Sequence, residues 1–318
     1  MPSEFDLIRR YFTRKARTAV LGVGDDAALV RPRAGAELAV STDMLVAGTH
    51  FFDDADPRLL GWKSLAVNVS DMAAMGATPR WATLAISLPR VDERWLAAFA
   101  RGVFACARRF GVELIGGDTT RGPLNICVTI FGDVPAGRAL RRDAARAGDD
   151  VWVSGTLGDA ALALAHLRGR IRLPARDFAA CAQRLHAPVA RVALGRALAG
   201  VAHAAIDVSD GFAADLGHIL ERSRAGALVR LADLPRSAAM LRQAGSRIAR
   251  ACLLAGGDDY ELCFTAPPSA RRRIETIARR LRLRLTRVGA IESRRGLRIV
   301  GASGKPVSVK QGGYDHFG

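Results

Sequence analysis

Leu38-Ala-Val-Ser-Thr-Asp43 is a mostly apolar run that ends in three consecutive oxygen-bearing side chains, Ser41, Thr42 and Asp43. The run predicts a strand, so the three polar groups stand at its end. Five more acidic segments stand where apolar runs meet turns: Gly22-Val-Gly-Asp-Asp26, Asn68-Val-Ser-Asp71, Gly116-Gly-Asp118, Asp207-Val-Ser-Asp-Gly211 and Gly256-Gly-Asp-Asp259. If they converge, carboxylates about 4 Å apart repel by roughly 4 kcal/mol at an effective dielectric of about 20. A divalent, oxygen-binding cation beside nucleotide phosphate would relieve that repulsion.

Strands and helices are mixed along the chain. In the first half we predict strands at residues 38–42, 81–88, 112–115 and 124–131, and helices at 57–77 and 92–110. In the second half we predict strands at 151–154 and 205–208, helices at 159–167 and 212–222, and a hairpin at 297–309. Because this order is not a strict βαβ alternation, the fold class is α+β, or mixed α/β.

A polar segment at residues 135–148 is short of large apolar side chains and divides the chain into halves of similar length. A chain of 318 residues, 49% of them hydrophobic, is long enough for two domains. We therefore expect domains at residues 1–136 and 137–318.

One predicted helix carries a narrow polar stripe. Ser64, Asn68 and Asp71 recur at positions i, i+4 and i+7, which share one face of a helix. A solvent-facing stripe is the alternative, but such stripes are usually wide and rich in Lys, Glu and Arg. Short polar side chains on an otherwise apolar helix favour a stripe that faces a site.

The acidic segments also have simpler interpretations. Gly-Asp-Asp at Asp26 suits a plain turn. In Asp207-Val-Ser-Asp-Gly211, Asp207 and Ser209 would share a strand face, with Asp210 at the turn into a helix. A helix capped by Ser209 or Asp210 is the alternative there, and even a capped helix presents amides that bind phosphate.

Other function classes leave no signature in the sequence. No Walker A loop, protein-kinase catalytic loop or Rossmann fingerprint is present, nor a Gly-x-Ser-x-Gly or His-Glu-x-x-His segment. The five cysteines stand singly, which argues against disulfides, zinc and iron–sulfur sites and favours a reducing compartment. With no membrane-length apolar run and no secretory signal, we expect a cytoplasmic protein without a membrane partner.

The net charge of +16 raises a nucleic-acid-binding alternative. The densest basic runs, residues 141–142, 271–273 and 279–280, lack interleaved aromatic residues for base stacking. An arginine-rich solvated surface is therefore favoured, and we expect no nucleic-acid partner. Attraction of phosphorylated substrates is compatible with the same charge.

Taken together, the motifs closely resemble the thiamine-monophosphate kinase family of the aminoimidazole ribonucleotide synthetase-like superfamily. The resemblance runs nearly end to end, through Phe5-Asp-Leu-Ile-Arg-Arg-Tyr-Phe12, Gly22-Val-Gly-Asp-Asp26, Ser41-Thr-Asp-Met-Leu-Val-Ala-Gly-Thr-His50, Ala66-Val-Asn-Val-Ser-Asp-Met-Ala-Ala-Met-Gly76, Leu114-Ile-Gly-Gly-Asp-Thr-Thr-Arg-Gly122, Ile206-Asp-Val-Ser-Asp-Gly211, Gly256-Gly-Asp-Asp-Tyr-Glu-Leu262 and Gly313-Tyr-Asp-His-Phe317. It implies an ATP-dependent kinase that converts thiamine phosphate to thiamine diphosphate by direct in-line transfer, with several Mg²⁺ ions and no protein nucleophile.

The resemblance also implies the site residues. Metal ligands would be Asp26, Ser41, Thr42, Asp43, Asp71, Asp118, Asp207 and Asp210. ATP contacts would be Gly117, Asp118, Arg142 and Ser209. Contacts to thiamine phosphate would be His50, Asp258 and Tyr314. The family is homodimeric: the N-terminal domains pair their sheets, and the ATP cleft is completed across the dimer.

Three of these assignments carry alternatives. From the residues alone, His50 suits a packed histidine, and Tyr314 suits either a core position or a ligand ring. The family usually has Gly-Gly-Glu-Asp where this chain has Asp258, whose shorter side chain favours a water-bridged contact.

Rival superfamily activities such as selenophosphate synthesis or hydrogenase maturation would call for a cysteine near the N-terminus or at the C-terminus. Here the first cysteine is Cys106 and the chain ends Asp315-His-Phe-Gly318.

Overall fold

A computed structural model of the protein describes residues 3–307. The chain forms two compact units. The first, which we call the N-terminal unit, comprises Met1–Met72 and Ala77–Gly137; the second, the C-terminal unit, comprises Ala73–Gly76 and Arg138–Gly318. Both contain helices and a mixed sheet, so the predicted mixed α/β class is confirmed.

The N-terminal unit is built on a sheet with the strand order β1-β4-β2-β3. Its strands are β1 (Ala36–Val46), β2 (Thr78–Leu88), β3 (Glu113–Arg121) and β4 (Asn125–Pro135). Strands β2 and β3 are parallel, and the other neighbours are antiparallel. Its helices are α1 (Glu4–Leu7), extended by a π-helical turn (Ile8–Phe12), α2 (Pro57–Ala74) and α3 (Glu93–Phe110). The predicted strands and helices of this half are therefore found, most of them longer than predicted.

The two faces of this sheet differ along β1. Ser41 pairs with the buried Ile130, and Asp43 pairs with the buried Val128. Directly paired residues lie on the same face of a sheet, so Ser41 and Asp43 belong to the face that α2 covers. On the opposite face, apolar side chains are 40 to 55% exposed: Leu38, Val40 and Met44.

Two glycines let α2 and α3 touch through their backbones. A Cβ on Gly61 would lie 2.1 Å from the carbonyl oxygen of Phe99, and one on Gly102 would lie 1.9 Å from that of Arg58. No other residue fits either position without separating the helices. Beside this contact, the rings of Trp95 and Phe99 stack at 5.0 Å.

The C-terminal unit is built on a sheet with the order β10-β7-β9-β5-β8-β6, in which only the β10–β7 pair is parallel among the described strands. The strands are β5 (Asp150–Ser154), β6 (Ala204–Asp207), β7 (Gly226–Arg230), β8 (Leu262–Ala266), β9 (Leu285–Glu292) and β10 (Gly296–Val300). The helices are α4 (Asp159–Leu167), α5 (Ala175–His186), α6 (Val192–Leu198), α7 (Phe212–Arg222), α8 (Ala238–Arg242), α9 (Arg247–Ala255) and α10 (Arg271–Leu281).

Apolar clusters fill the C-terminal unit on both sides of the sheet. Phe212 and Leu216 of α7 belong to one cluster, whereas Leu194 of α6 and Ile274 of α10 belong to the other. The predicted hairpin at 297–309 is found in part: β10 turns at residues 301–304, and a single bridge joins Val300 to Pro306. Its last residues lie outside the described part of the chain.

The five cysteines are free thiols. Four are buried, as expected of small core residues: Cys106, Cys181, Cys252 and Cys263. Burial raises their pKa, to about 12 for Cys181 and about 11 for Cys252. Cys127 on β4 is only partly buried. Among residues 3–307, no helix combines the length and the hydropathy that a membrane crossing requires.

Candidate active site

The end of β1 and the polar stripe of α2 meet in the N-terminal unit. The hydroxyl of Ser41 donates a hydrogen bond of 2.5 Å to Oδ2 of Asp71. The backbone N–H of Asp43 donates to Oδ1 of Asn68 at 3.1 Å, and the Asn68 amide donates to the carbonyl of Ser64. Ser64 and Asn68 are buried, so the solvent-facing alternative for the stripe is wrong.

His50 follows β1 in a turn, and the structure fixes its tautomer. The N–H of Val46 donates to His50 Nδ1 at 3.0 Å, so Nδ1 is an acceptor. In the neutral imidazole the proton therefore resides on Nε2. An Nε2–H group is a hydrogen-bond donor of the kind that binds a phosphate or a hydroxyl oxygen.

Asp26, Thr42 and Asp118 are exposed in the single chain. Asp26 lies in a turn and donates its N–H to Asp25 at 2.9 Å, and Thr42 shares a hydrogen bond with Thr129 at 2.9 Å. Asp118 lies on β3, at the opposite edge of the sheet from β1. Three strand spacings separate those edges, about 14 Å. Within one copy of the chain, the width of the sheet therefore separates Asp118 from Asp43.

Gly117, beside Asp118, is a glycine for a steric reason. Its φ is +145°, and an added Cβ would lie 1.8 Å from the carbonyl oxygen of Leu84 on β2. The backbone of β3 therefore passes closer to β2 here than a side chain permits.

A second acidic cluster lies in the C-terminal unit, where β6 leads into α7. Asp207 ends β6 and is 3% exposed. Three side chains approach each other closely here: one oxygen of Asp210, one oxygen of Asp215 and one ring nitrogen of His218 all lie within 4.8 Å of one another. Burial, together with the negative charges of Asp207 and Asp210, raises the pKa of Asp215 to about 8. Such a crowding of carboxylates favours a bound cation.

Asp215 and His218 belong to this acidic cluster, and the sequence did not point to either of them. Oδ2 of Asp215 accepts the N–H groups of Asp210 and Gly211 at 3.1 and 3.0 Å. The N-cap of α7 is Gly211, without a side-chain cap, so the capping alternative for Ser209 and Asp210 is wrong. The sequence feature that could have indicated Asp215 is its spacing of four residues from Gly211. In a helix this spacing places the carboxylate beside the N–H groups of the first turn.

Asp258, the other predicted contact to thiamine phosphate within the described part of the chain, lies in the loop before β8. Its N–H donates to the carbonyl of Ser209 at 2.8 Å, and the hydroxyl of Tyr260 donates to its Oδ1 at 3.0 Å. The predicted ATP contact Ser209 and the predicted acceptor contact Asp258 are therefore adjacent. Arg142 has an exposed side chain, and its carbonyl accepts from Ser223 at 2.8 Å. Tyr314 lies outside the described residues.

Comparison with known proteins identifies the class of protein to which this fold and its acidic clusters belong. Residues 24–134 match the family described as AIR synthase related protein, N-terminal domain. The whole chain is 47% identical over 319 residues to thiamine-monophosphate kinase of Salmonella typhimurium, covering 99% of this chain and 98% of that one. The protein belongs to the thiamine-monophosphate kinase family.

Solved structures of that family are similar as well. The crystal structure of thiamine-monophosphate kinase from Stenotrophomonas maltophilia K279a is 49% identical, with a TM-score of 0.85, covering 91% of this chain and 92% of that one. The structure of AaThiL complexed with AMPPCP and TMP is 31% identical, with a TM-score of 0.80, covering 90% and 89%. The similarity therefore extends over both units.

Proposed function

We propose that the protein transfers the γ-phosphoryl group of ATP to thiamine phosphate, forming thiamine diphosphate and ADP. The observation that carries the proposal is the meeting of Ser41 with Asp71, and of Asp43 with Asn68, in a chain 47% identical to a thiamine-monophosphate kinase over 99% of its length. The relative solved with AMPPCP and TMP supports two ligands of the same kind here.

The donor set fits Mg²⁺. The residues that would hold the ions offer carboxylate and hydroxyl oxygens, the ligands that Mg²⁺ prefers: Asp26, Ser41, Thr42, Asp43, Asp71, Asp118, Asp207 and Asp210. Asp215 and His218 would complete the surroundings of Asp210. Bound Mg²⁺ would neutralise the phosphates and remove the repulsion between two anionic substrates.

The transfer itself would be direct and in line. The acceptor phosphate is already a nucleophile at neutral pH, so the protein needs neither a covalent intermediate nor a general base. The chain's own residues position the two substrates and keep the reacting groups aligned. Catalysis of this kind depends on positioning and charge neutralisation.

The two substrates would be held by different sets of residues. ATP would contact Gly117, Asp118, Arg142 and Ser209. Thiamine phosphate would contact His50, Asp258 and Tyr314, and the Nε2–H of His50 would donate to it. The adjacency of Ser209 and Asp258 supports an order in which the ATP phosphates lie next to the acceptor phosphate.

A homodimer would complete the ATP cleft. Asp118 lies at the edge of the sheet opposite β1, so a second copy is the natural source of this ligand. The exposed apolar face of β1, formed by Leu38, Val40 and Met44, supports pairing of the N-terminal sheets. We further propose the domain limits 1–136 and 137–318, and a cytoplasmic location, where ATP and thiamine phosphate are available.

One incubation tests the proposal. Purified protein with ATP, Mg²⁺ and thiamine phosphate should form thiamine diphosphate and ADP in equal amounts, measured by chromatography. Thiamine in place of thiamine phosphate is the control, because a kinase for a phosphate acceptor should leave it unchanged. ADP formed without thiamine diphosphate would contradict the proposal.

A further inference from the structure

Glu261 is the centre of a buried ionic cluster in the C-terminal unit. Its side chain is 0% exposed. It accepts hydrogen bonds from Nε of Arg191 at 2.6 Å and from the hydroxyl of Ser154 at 2.5 Å. Nη2 of Arg191 and Nη2 of Arg184 donate to its other oxygen. A buried carboxylate with this many charged donors is fixed in position, because losing any of them leaves an uncompensated charge.

The loop directly before Glu261 has a strained backbone. Asp258 has a φ of +68° and Tyr260 has a φ of +50°, in the left-handed region that side chains with a Cβ disfavour. Neither position is a glycine. Strain of this kind persists only where the surroundings over-determine the conformation, and it is concentrated at functional sites.

Backbone hydrogen bonds join this loop to the segment after β6. The N–H of Asp258 donates to the carbonyl of Ser209, and the N–H of Tyr260 donates to the carbonyl of Val208, both at 2.8 Å. In return, the carbonyl of Glu261 accepts the N–H of Val208 at 2.8 Å. The position of Glu261 therefore affects how Asp258, the proposed contact to thiamine phosphate, is aligned with Ser209, the proposed contact to ATP.

We infer that Arg184 and Arg191 are positioning residues that, through Glu261, hold Asp258 in its left-handed conformation beside Ser209. The inference rests on the proposed role of Asp258 as a contact to thiamine phosphate. Arg191 forms a two-bonded fork on the carboxylate, which fixes orientation as well as charge. Lysine at this position would keep the charge and lose the fork.

The substitution Arg191→Lys tests the inference through the two substrates. We expect the KM for thiamine phosphate to rise about tenfold while the KM for ATP changes less than about twofold, because the fork orients the acceptor contact. Arg242→Lys is the matched control. Arg242 forms the same kind of fork on a different buried carboxylate, Asp177, and its variant should leave both KM values unchanged.

Hydrogen exchange tests the same inference without any substrate. In Arg191→Lys, the amides of Asp258 and Tyr260 should exchange about tenfold faster than in the wild type, because the loop opens more often. In Arg242→Lys they should exchange at the wild-type rate. Unchanged exchange at both amides in Arg191→Lys, or equal increases in both KM values, would overturn the inference.

The two proposals fail in different ways. If the wild type forms no thiamine diphosphate, the proposed function fails, and the exchange measurement still decides whether the cluster holds the loop. If Arg191→Lys does not fold, Arg184→Lys takes its place. Arg184 donates through one nitrogen and is 24% exposed, so this variant is milder and should show the same pattern with smaller changes.

Discussion

The hydroxyl of Ser41 donates a 2.5 Å hydrogen bond to Oδ2 of Asp71 across 30 residues of sequence. The bond ties the end of β1 to the polar stripe of α2. It also orients the Asp71 carboxylate relative to the strand. A strand hydroxyl and a helix carboxylate are thereby presented together, which is the arrangement that a hard cation requires.

Removing the charge of Asp71 or Asp43 should abolish most of the activity. We expect Asp71→Asn and Asp43→Asn each to lower kcat at least ~100-fold, because charge neutralisation at the phosphates is lost. Asp56→Asn is the control: Asp56 caps the start of α2 by accepting the N–H of Leu59 at 2.9 Å, and Asn also caps. Near-normal kcat in both site variants at saturating Mg²⁺ would exclude these two residues as metal ligands.

His50 should affect the acceptor and not ATP. In His50→Asn the side-chain oxygen can still accept from Val46, but the Nε2–H is gone. We expect the KM for thiamine phosphate to rise about tenfold with the KM for ATP unchanged, and the same division for Tyr314→Ala. A weaker affinity for ATP with a normal affinity for thiamine phosphate would show that these residues contact ATP instead.

The stereochemistry at phosphorus should report a single displacement. ATP made chiral at its γ-phosphate should give thiamine diphosphate with inverted configuration, because the proposed transfer is direct and uses no side chain as a nucleophile. Two displacements through a phosphoenzyme would retain the configuration. Exchange between ATP and ADP without the acceptor would also reveal a phosphoenzyme.

The sequence predicted the strand that ends at Ser41–Asp43 and the site-facing polar stripe of α2, because both are local patterns. That the two meet is a result of the structure. It did not predict the cluster around Glu261, whose arginine partners lie 70 and 77 residues away. Nor did it predict the distance between Asp118 and β1, because the strand order is not sequential. Asp215 was missed because its role depends on the turn at Gly211.

Gly117→Ala should destabilise the N-terminal unit. The added Cβ would meet the carbonyl oxygen of Leu84 at 1.8 Å, and the φ of +145° is strained for alanine. We expect a loss of at least ~3 kcal/mol in unfolding free energy. Gly111→Ala separates the two causes, since Gly111 also has a positive φ but no atom within 4 Å of an added Cβ; it should cost about 1 kcal/mol. Similar melting temperatures for the two variants would contradict the steric explanation.

Glu113 should make the N-terminal unit sensitive to acid. Burial alone would raise the pKa of Glu113, but the N–H groups of Arg17, Thr18 and Ala19 and the Thr18 hydroxyl hold it below its ordinary value of 4.5. The unfolded chain therefore binds this proton more tightly, so the stabilisation is present above pH 4.5 and is lost as the pH falls through the lowered pKa. The melting temperature of Glu113→Gln should lie below that of the wild type near neutral pH, and the difference should shrink towards about pH 3. A constant difference across this range would refute the assignment.

The close backbone contacts at Gly61, against Phe99, and at Gly102, against Arg58, bear on the position of Asp71. At these two positions the side chain that separates α2 from α3 is only the hydrogen atom of a glycine. Asp71 lies ten residues, or about 15 Å, further along α2 than Gly61. A helix transmits a displacement along its axis with little loss, so a methyl group at either glycine would move the carboxylate that meets Ser41. The geometry of the site thus depends on two positions that possess no functional group at all.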